Sequence, residues 1–137
     1  MRSIMLSILV VLAGPRAAAA ADFTVVNVGS SAYQVNGVNN PDLALVRGLT
    51  YTFDIDAIGH PFWIKTAQVI GTASAFNTGV TNNGAQSGTL SFTVPQNAPD
   101  TLFYICQFHS PMTGALLISD LPIESVTWAG IKGLYSK

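Results

Sequence analysis

Eight consecutive residues, Leu49 to Asp56, alternate without a break between apolar and polar side chains. Leu49, Tyr51, Phe53 and Ile55 fall on one side, and Thr50, Thr52, Asp54 and Asp56 on the other. A period of two is the signature of a strand with one face buried and the other wet. Such a strand is useful only if a second layer covers its apolar face, so this stretch commits the chain to a sheet packed against something.

The rest of the sequence is punctuated in the same way. Phe23, Val25 and Val28 open a strand over 23–28, turned by Gly29-Ser30-Ser31. Tyr33 and Val35 make a second, closed by Asn36-Gly37, a strong turn dipeptide. Asn39-Asn40-Pro41 continues that loop. Leu43 and Leu45 alternate up to Arg47-Gly48, and His60, Phe62 and Ile64 begin another set. Residues 71–88, rich in Gly, Asn, Ser, Thr and Ala, read as a long irregular connection with one short strand or helical turn around 74–78. Leu90, Phe92 and Val94 alternate again. After the loop from Pro95 to Pro99 come strands at Leu102–Cys106 and Ala115–Ser119. Strands about ten residues apart with turns between them predict an all-β sandwich or barrel. Phe53, Phe62, Phe92 and Tyr104 are expected in its core. Trp63, alternating with Phe62, is expected outside.

Residues 1–21 stand apart. Arg2 supplies a positive charge, Ile4 to Ala13 is an apolar run, Pro15 breaks it, and Ala17 to Ala21 offer small-residue cleavage sites. This reads as a secretory signal peptide cleaved after Ala21. The run is too short to span a bilayer comfortably, and no later segment is apolar enough. The protein is therefore expected to be exported, to a periplasm or the medium, or to a lumen in a compartmentalised cell. Residues 22–120 then form one domain. Residues 121–137 are a tail in which Ile123, Val126 and Ile131 share a helical face that Gly130 and Gly133 weaken. Without Arg2 and Arg16, four basic residues face seven acidic ones. Nucleic-acid binders carry basic patches, so this weakly acidic balance speaks against that class. Charges are also so sparse that apolar burial, not ion pairing, must hold the fold.

An exported chain can use disulfides, but Cys106 is alone and cannot bridge within the chain. A lone cysteine is a small buried hydrophobe, an intermolecular link or a metal thiolate. Its surroundings point to the third. In Phe103-Tyr104-Ile105-Cys106-Gln107-Phe108-His109-Ser110-Pro111-Met112, the imidazole follows the thiol by three residues and the thioether follows the imidazole by three. Cys106 falls at a strand end, and His109 and Met112 fall in the loop before the next strand. His60 is the other histidine, and Met112 is the one methionine outside the leader. Each residue alone has a plain reading as packing or turn; only the joint spacing is specific. Methionine is a poor zinc ligand but suits copper, and one Cys, two His and a weak axial Met define an electron-transfer copper site.

The Cys106 to Met112 motif resembles the metal loop of the cupredoxins, the small type 1 blue copper proteins, with the spacing of the amicyanin branch. Ile58-Gly59-His60-Pro61-Phe62-Trp63-Ile64 resembles the segment carrying that family's first copper histidine. The resemblance covers residues 22–119. It implies a Greek-key β-sandwich of seven to eight strands with one copper at one end. His60, Cys106 and His109 would be the strong ligands, Met112 the axial one, and Gly59 would turn its carbonyl toward the metal. Phe108 and Pro111 would form an apolar collar for docking and electron entry. The implied activity is one-electron transfer between a redox protein donor and acceptor, by a soluble monomer that is not an enzyme.

Two departures narrow the comparison. Many small family members have Asn after the first histidine, whose backbone N–H reaches the thiolate; Pro61 has none to give. The His60-Pro61-Phe62 pattern also resembles the last domain of multicopper oxidases. There, histidines occupy the positions held here by Trp63, Lys65, Ile105 and Gln107, so two histidines cannot build an oxygen-reducing cluster. A copper sequestration or delivery protein, usually built around open Met- or His-rich sites, and an interaction module with a structural copper site remain as alternatives.

Overall fold

The computed structural model describes residues 19–122, so most of the expected signal peptide (1–21) and of the expected tail (121–137) lies outside the described residues. Ten strands follow in chain order: β1 Phe23–Val28, β2 Ala32–Val35, β3 Val38–Asn39, β4 Leu43–Val46, β5 Thr50–Asp56, β6 Phe62–Lys65, β7 Val80–Thr81, β8 Ser87–Thr93, β9 Thr101–Cys106 and β10 Thr113–Ser119. Eight of them have four or more residues; β3 and β7 have two each. Among the described residues there is no helix that is long and apolar enough to cross a membrane.

The strands form two sheets, β3-β2-β1-β5-β8-β7 and β4-β10-β9-β6. Pairing is antiparallel except for β1 with β5 and β4 with β10, which run parallel. The chain crosses repeatedly from one sheet to the other, and each crossing passes over one end of the sandwich. The β5–β6 and β9–β10 connections share one end; the β4–β5 and β8–β9 connections share the other.

Alternation explains the faces. In β5, Phe53 and Ile55 are buried while Asp54 and Asp56 are exposed. Leu49 continues the sequence pattern but is 43% exposed, because the strand starts one residue later at the Arg47-Gly48 turn. Phe53, Phe62, Phe92 and Tyr104 are fully buried, as the alternation predicts. Phe62 lies at the centre of an aromatic cluster, with ring centroids 5.1 Å from Tyr33, 5.2 Å from Tyr104 and 5.7 Å from Phe53. The Asn36-Gly37 turn forms as expected, with both residues at positive φ, 47° and 85°. That is the backbone a tight hairpin needs and the reason for Asn-Gly there.

The end away from the β5–β6 connection is closed by Arg47. Its guanidinium donates to the Ala98 carbonyl at 2.8 Å, to Asp100 at 2.6 Å and to Asp120 at 3.0 Å. One cation thus joins the β4–β5 turn, the β8–β9 loop and the end of β10.

The irregular stretch 71–88 contains β7 and an isolated bridge from Ala75 to Lys65. It covers the free edge of β6. Asn83 takes the place of a neighbouring strand, accepting the Ile64 N–H at 2.8 Å and donating to the Ile64 carbonyl at 3.2 Å. Lys65 shares the outward face of β6 with Trp63, yet it is fully buried under residues 66–71. Its ammonium donates to the carbonyls of Val69 at 2.6 Å and Gly71 at 2.9 Å. Among the described residues no carboxylate pairs with it, and burial pulls the amine below its ordinary pKa.

Candidate metal centre

His60 sits in the β5–β6 connection. Its N–H closes a turn onto the Ala57 carbonyl at 2.9 Å. The turn passes through Gly59 at φ 84°, where a side chain would be strained. The Gly59 N–H is held by Gln86 Oε1 at 2.7 Å, and the His60 carbonyl accepts the Tyr33 hydroxyl at 2.7 Å. The histidine therefore leaves a loop that is fixed on both sides.

Cys106 ends β9 opposite Phe62 of β6. Its N–H donates to the Met112 carbonyl at 3.0 Å, and the next N–H, of Gln107, donates to the Pro61 carbonyl at 3.0 Å. The thiol is thereby tied to both segments that carry the other donors. The loop from Gln107 to Met112 closes on itself, with Met112 N–H to His109 carbonyl at 3.2 Å and Thr113 N–H to Pro111 carbonyl at 3.1 Å. Gln107 is pinned from outside by the Gly71 N–H at 2.7 Å and by Trp63 Nε1 at 3.1 Å. That contact and the close approach of Gly84 to its ring leave Trp63 half-buried instead of exposed.

Three of the residues singled out by the sequence meet here. His60, Cys106 and His109 place one donor atom each within 4.8 Å of one another, and among the described residues no other group of three or more His, Cys, Asp or Glu does so. The two Nδ1 atoms are 3.1 Å apart, and Cys106 Sγ lies 3.8 Å from His60 Nδ1 and 3.5 Å from His109 Nδ1. A first-row divalent ion sits about 2.0 Å from imidazole nitrogen and about 2.3 Å from thiolate sulfur, which for a trigonal arrangement puts the donors roughly 3.5–3.8 Å apart. The two sulfur–nitrogen edges are of that size and the nitrogen–nitrogen edge is somewhat shorter, and the two imidazoles and one thiol are the strong-ligand set of a type 1 copper site. Copper therefore fits the residues present.

Burial grades the site. Cys106 and Met112 are fully buried within the core, while both histidines are partly exposed. Phe108 is 57% exposed, Pro111 is exposed, and Ile58, two residues before His60, is 69% exposed. Burial, helped by the like charge of His109, lowers the His60 pKa below its ordinary value, which favours the neutral imidazole that metal ligation requires. Burial also lifts Tyr33 far above the ordinary phenol range, with Cys106 nearby as a lesser cause.

The fold has solved counterparts. Reduced rusticyanin is 20% identical to this chain, with 71% of this chain and 77% of that one covered at a TM-score of 0.51. Rusticyanin from Thiobacillus ferrooxidans gives 21% identity, 71% and 75% coverage and a TM-score of 0.50. The chain has the cupredoxin fold. No known protein-family description matches it, and no curated protein matches it either. The cupredoxin resemblance of the sequence thus agrees with the shape of the backbone, and the eight longer strands agree with the expected seven to eight. Sequence reasoning missed Tyr33, Asn40 and Gln86 as neighbours of the centre. Their polar groups bond to backbone atoms of distant loops, and no local pattern announces such contacts.

Proposed function

We propose that this protein is an exported, non-enzymatic carrier of single electrons, in which His60, Cys106 and His109 would hold one type 1 copper, with Met112 as a weak axial ligand and the Gly59 carbonyl turned toward it. The observation that carries this reading is the convergence of two imidazole nitrogens and the single thiol within 4.8 Å at one end of a cupredoxin fold. Rusticyanin, whose fold the chain shares, is a copper protein. Copper in such a ligand set supplies a one-electron couple.

The residues divide the remaining work. Cys106 and Met112, both in the core, keep water from the inner side of the centre. The two sheets and the bonds at Gly59, His60, Cys106 and Gln107 hold the donors nearly fixed, so little rearrangement accompanies a change of charge. His109 reaches toward the surface beside Phe108 and Pro111. That exposed apolar collar is where a redox protein donor and acceptor would dock, with a monomeric carrier between them. The segment before residue 22 supports export, to the periplasm or beyond.

The test is spectroscopic. Purified protein loaded with Cu(II) should show an intense visible thiolate-to-copper absorption and reversible one-electron voltammetry. A colourless copper complex, or colour without reversible cycling, would leave a structural or storage site instead.

A further inference from the structure

The β2–β3 hairpin contributes no donor to the centre, yet its hydrogen bonds end on the segments that do. Tyr33, in β2, is fully buried and donates its hydroxyl to the carbonyl of His60 at 2.7 Å. Asn40, just after β3, donates Nδ2–H to the carbonyl of Pro111 at 2.9 Å, between His109 and Met112. The two residues are also locked to each other. The Tyr33 N–H donates to Asn40 Oδ1 at 3.0 Å, and the Asn40 N–H donates to the Tyr33 carbonyl at 2.7 Å. Asn40 holds φ at 47°, a conformation that asparagine tolerates better than most residues. Next to it, the Pro41 carbonyl accepts the hydroxyl of Tyr104 at 2.7 Å. Gly114 makes that approach possible, because a Cβ there would strike both the Tyr104 hydroxyl and the Pro41 carbonyl.

We infer that Tyr33 and Asn40 act as one positioning unit that sets the distance between the His60 loop and the His109–Met112 loop. This rests on the copper reading above. Asn40 acts through the Pro111 carbonyl, and Tyr33 acts through the His60 carbonyl with its hydroxyl also near the Cys106 thiol. The two loops belong to different connections; beyond the β6–β9 ladder, one backbone bond joins them, from the Gln107 N–H to the Pro61 carbonyl. Pro61 itself has no N–H to offer. The hairpin supplies a further tie, from the opposite sheet, that reaches both loops at once.

Two conservative variants separate positioning from bulk packing. Tyr33→Phe removes one oxygen and keeps the ring. Asn40→Asp keeps the acceptor for the Tyr33 N–H and removes the donor to Pro111. Val38→Thr, on the exposed β3, is the control. Removing partners that orient metal ligands typically costs about tenfold to a hundredfold in metal affinity. Each variant is expected to lose Cu(II) affinity on that scale and to shift the visible absorption, and the double variant to lose less than the product of the two, since they share one unit. In the metal-free protein, amide exchange at Cys106 and Gln107 should quicken in both variants and not in the control. Wild-type copper affinity, or wild-type exchange, in both variants overturns the inference. A wild-type protein that takes up no copper would instead overturn the copper reading, while the exchange rates would still report whether the hairpin holds the two loops.

Discussion

At the end of the sandwich away from the histidines, a cation comes with the chain. The Arg47 guanidinium is met by two carboxylates and a backbone carbonyl, and the Asp100 and Asp120 side chains that meet it are 92% and 83% exposed. At the other end the polypeptide brings two imidazoles, a thiol and a buried thioether, and among the described residues no carboxylate joins the cluster. The first end uses hard, charged oxygens to fasten three loops together. The second uses soft, largely uncharged donors that select a soft metal. On the copper reading, closing the fold and holding the metal thus fall to opposite ends, and substitutions at the two ends should have separable effects.

The strongest test is Cys106→Ser. The visible absorption should vanish, because the thiolate is its source, while the metal-free protein stays folded at a cost of about 1–3 kcal/mol for a buried hydroxyl. Absorbance of the copper-loaded protein and urea unfolding of the metal-free protein read the two effects. A C106S protein that stays blue would remove Cys106 from the centre. Arg47→Met is the mirror image. The urea midpoint should fall and the visible band should stay where it is; a shifted band would show that the two ends are coupled through the core.

Alkaline pH probes the metal end selectively. Tyr33 and Tyr104, whose hydroxyls bond to loops at that end, both have pKa values raised above the ordinary phenol value, chiefly by burial. A raised native pKa contributes stability that is complete below the unfolded value, about 10, and is lost as pH climbs above it. Urea midpoints should therefore decline above about pH 10, and Tyr104→Phe should flatten the decline. An unchanged slope in Y104F would mean that other groups dominate alkaline unfolding. The smallest expected effect is that of Met112→Gln. Colour should persist and the reduction potential should fall, since a harder oxygen ligand favours Cu(II). Equal voltammograms for the two proteins would show that residue 112 does not face the metal.

Much of this was legible from the chain. The unbroken alternation from Thr50 to Asp56 defines β5, and Asn36-Gly37 defines the hairpin turn, because both depend on local backbone geometry. The spacing of Cys106 and His109 pointed to the segment that meets His60, because those two residues lie three apart on one strand end and its loop. What stayed hidden depends on contacts between distant segments. Alternation puts Lys65 on the outer face of β6, and only the covering loop at 66–71 buries it. The Asn40 bond to Pro111 spans 71 residues, and that of Tyr33 to His60 spans 27. Nothing in the composition of residues 71–88 announces that Asn83 will stand in for a strand.

That last arrangement bears on how the molecule behaves in a crowd. An unpaired strand edge is a template on which a second chain can add and begin a fibre. Here the six-stranded sheet ends in β3 and β7, of two residues each, and the four-stranded sheet ends in β4, of four residues, and in β6, whose edge is taken by Asn83 and its neighbours. The long strands β5 and β8, of seven residues each, lie inside. Among the described residues, the edge strands are therefore short, which disfavours strand addition by a second copy.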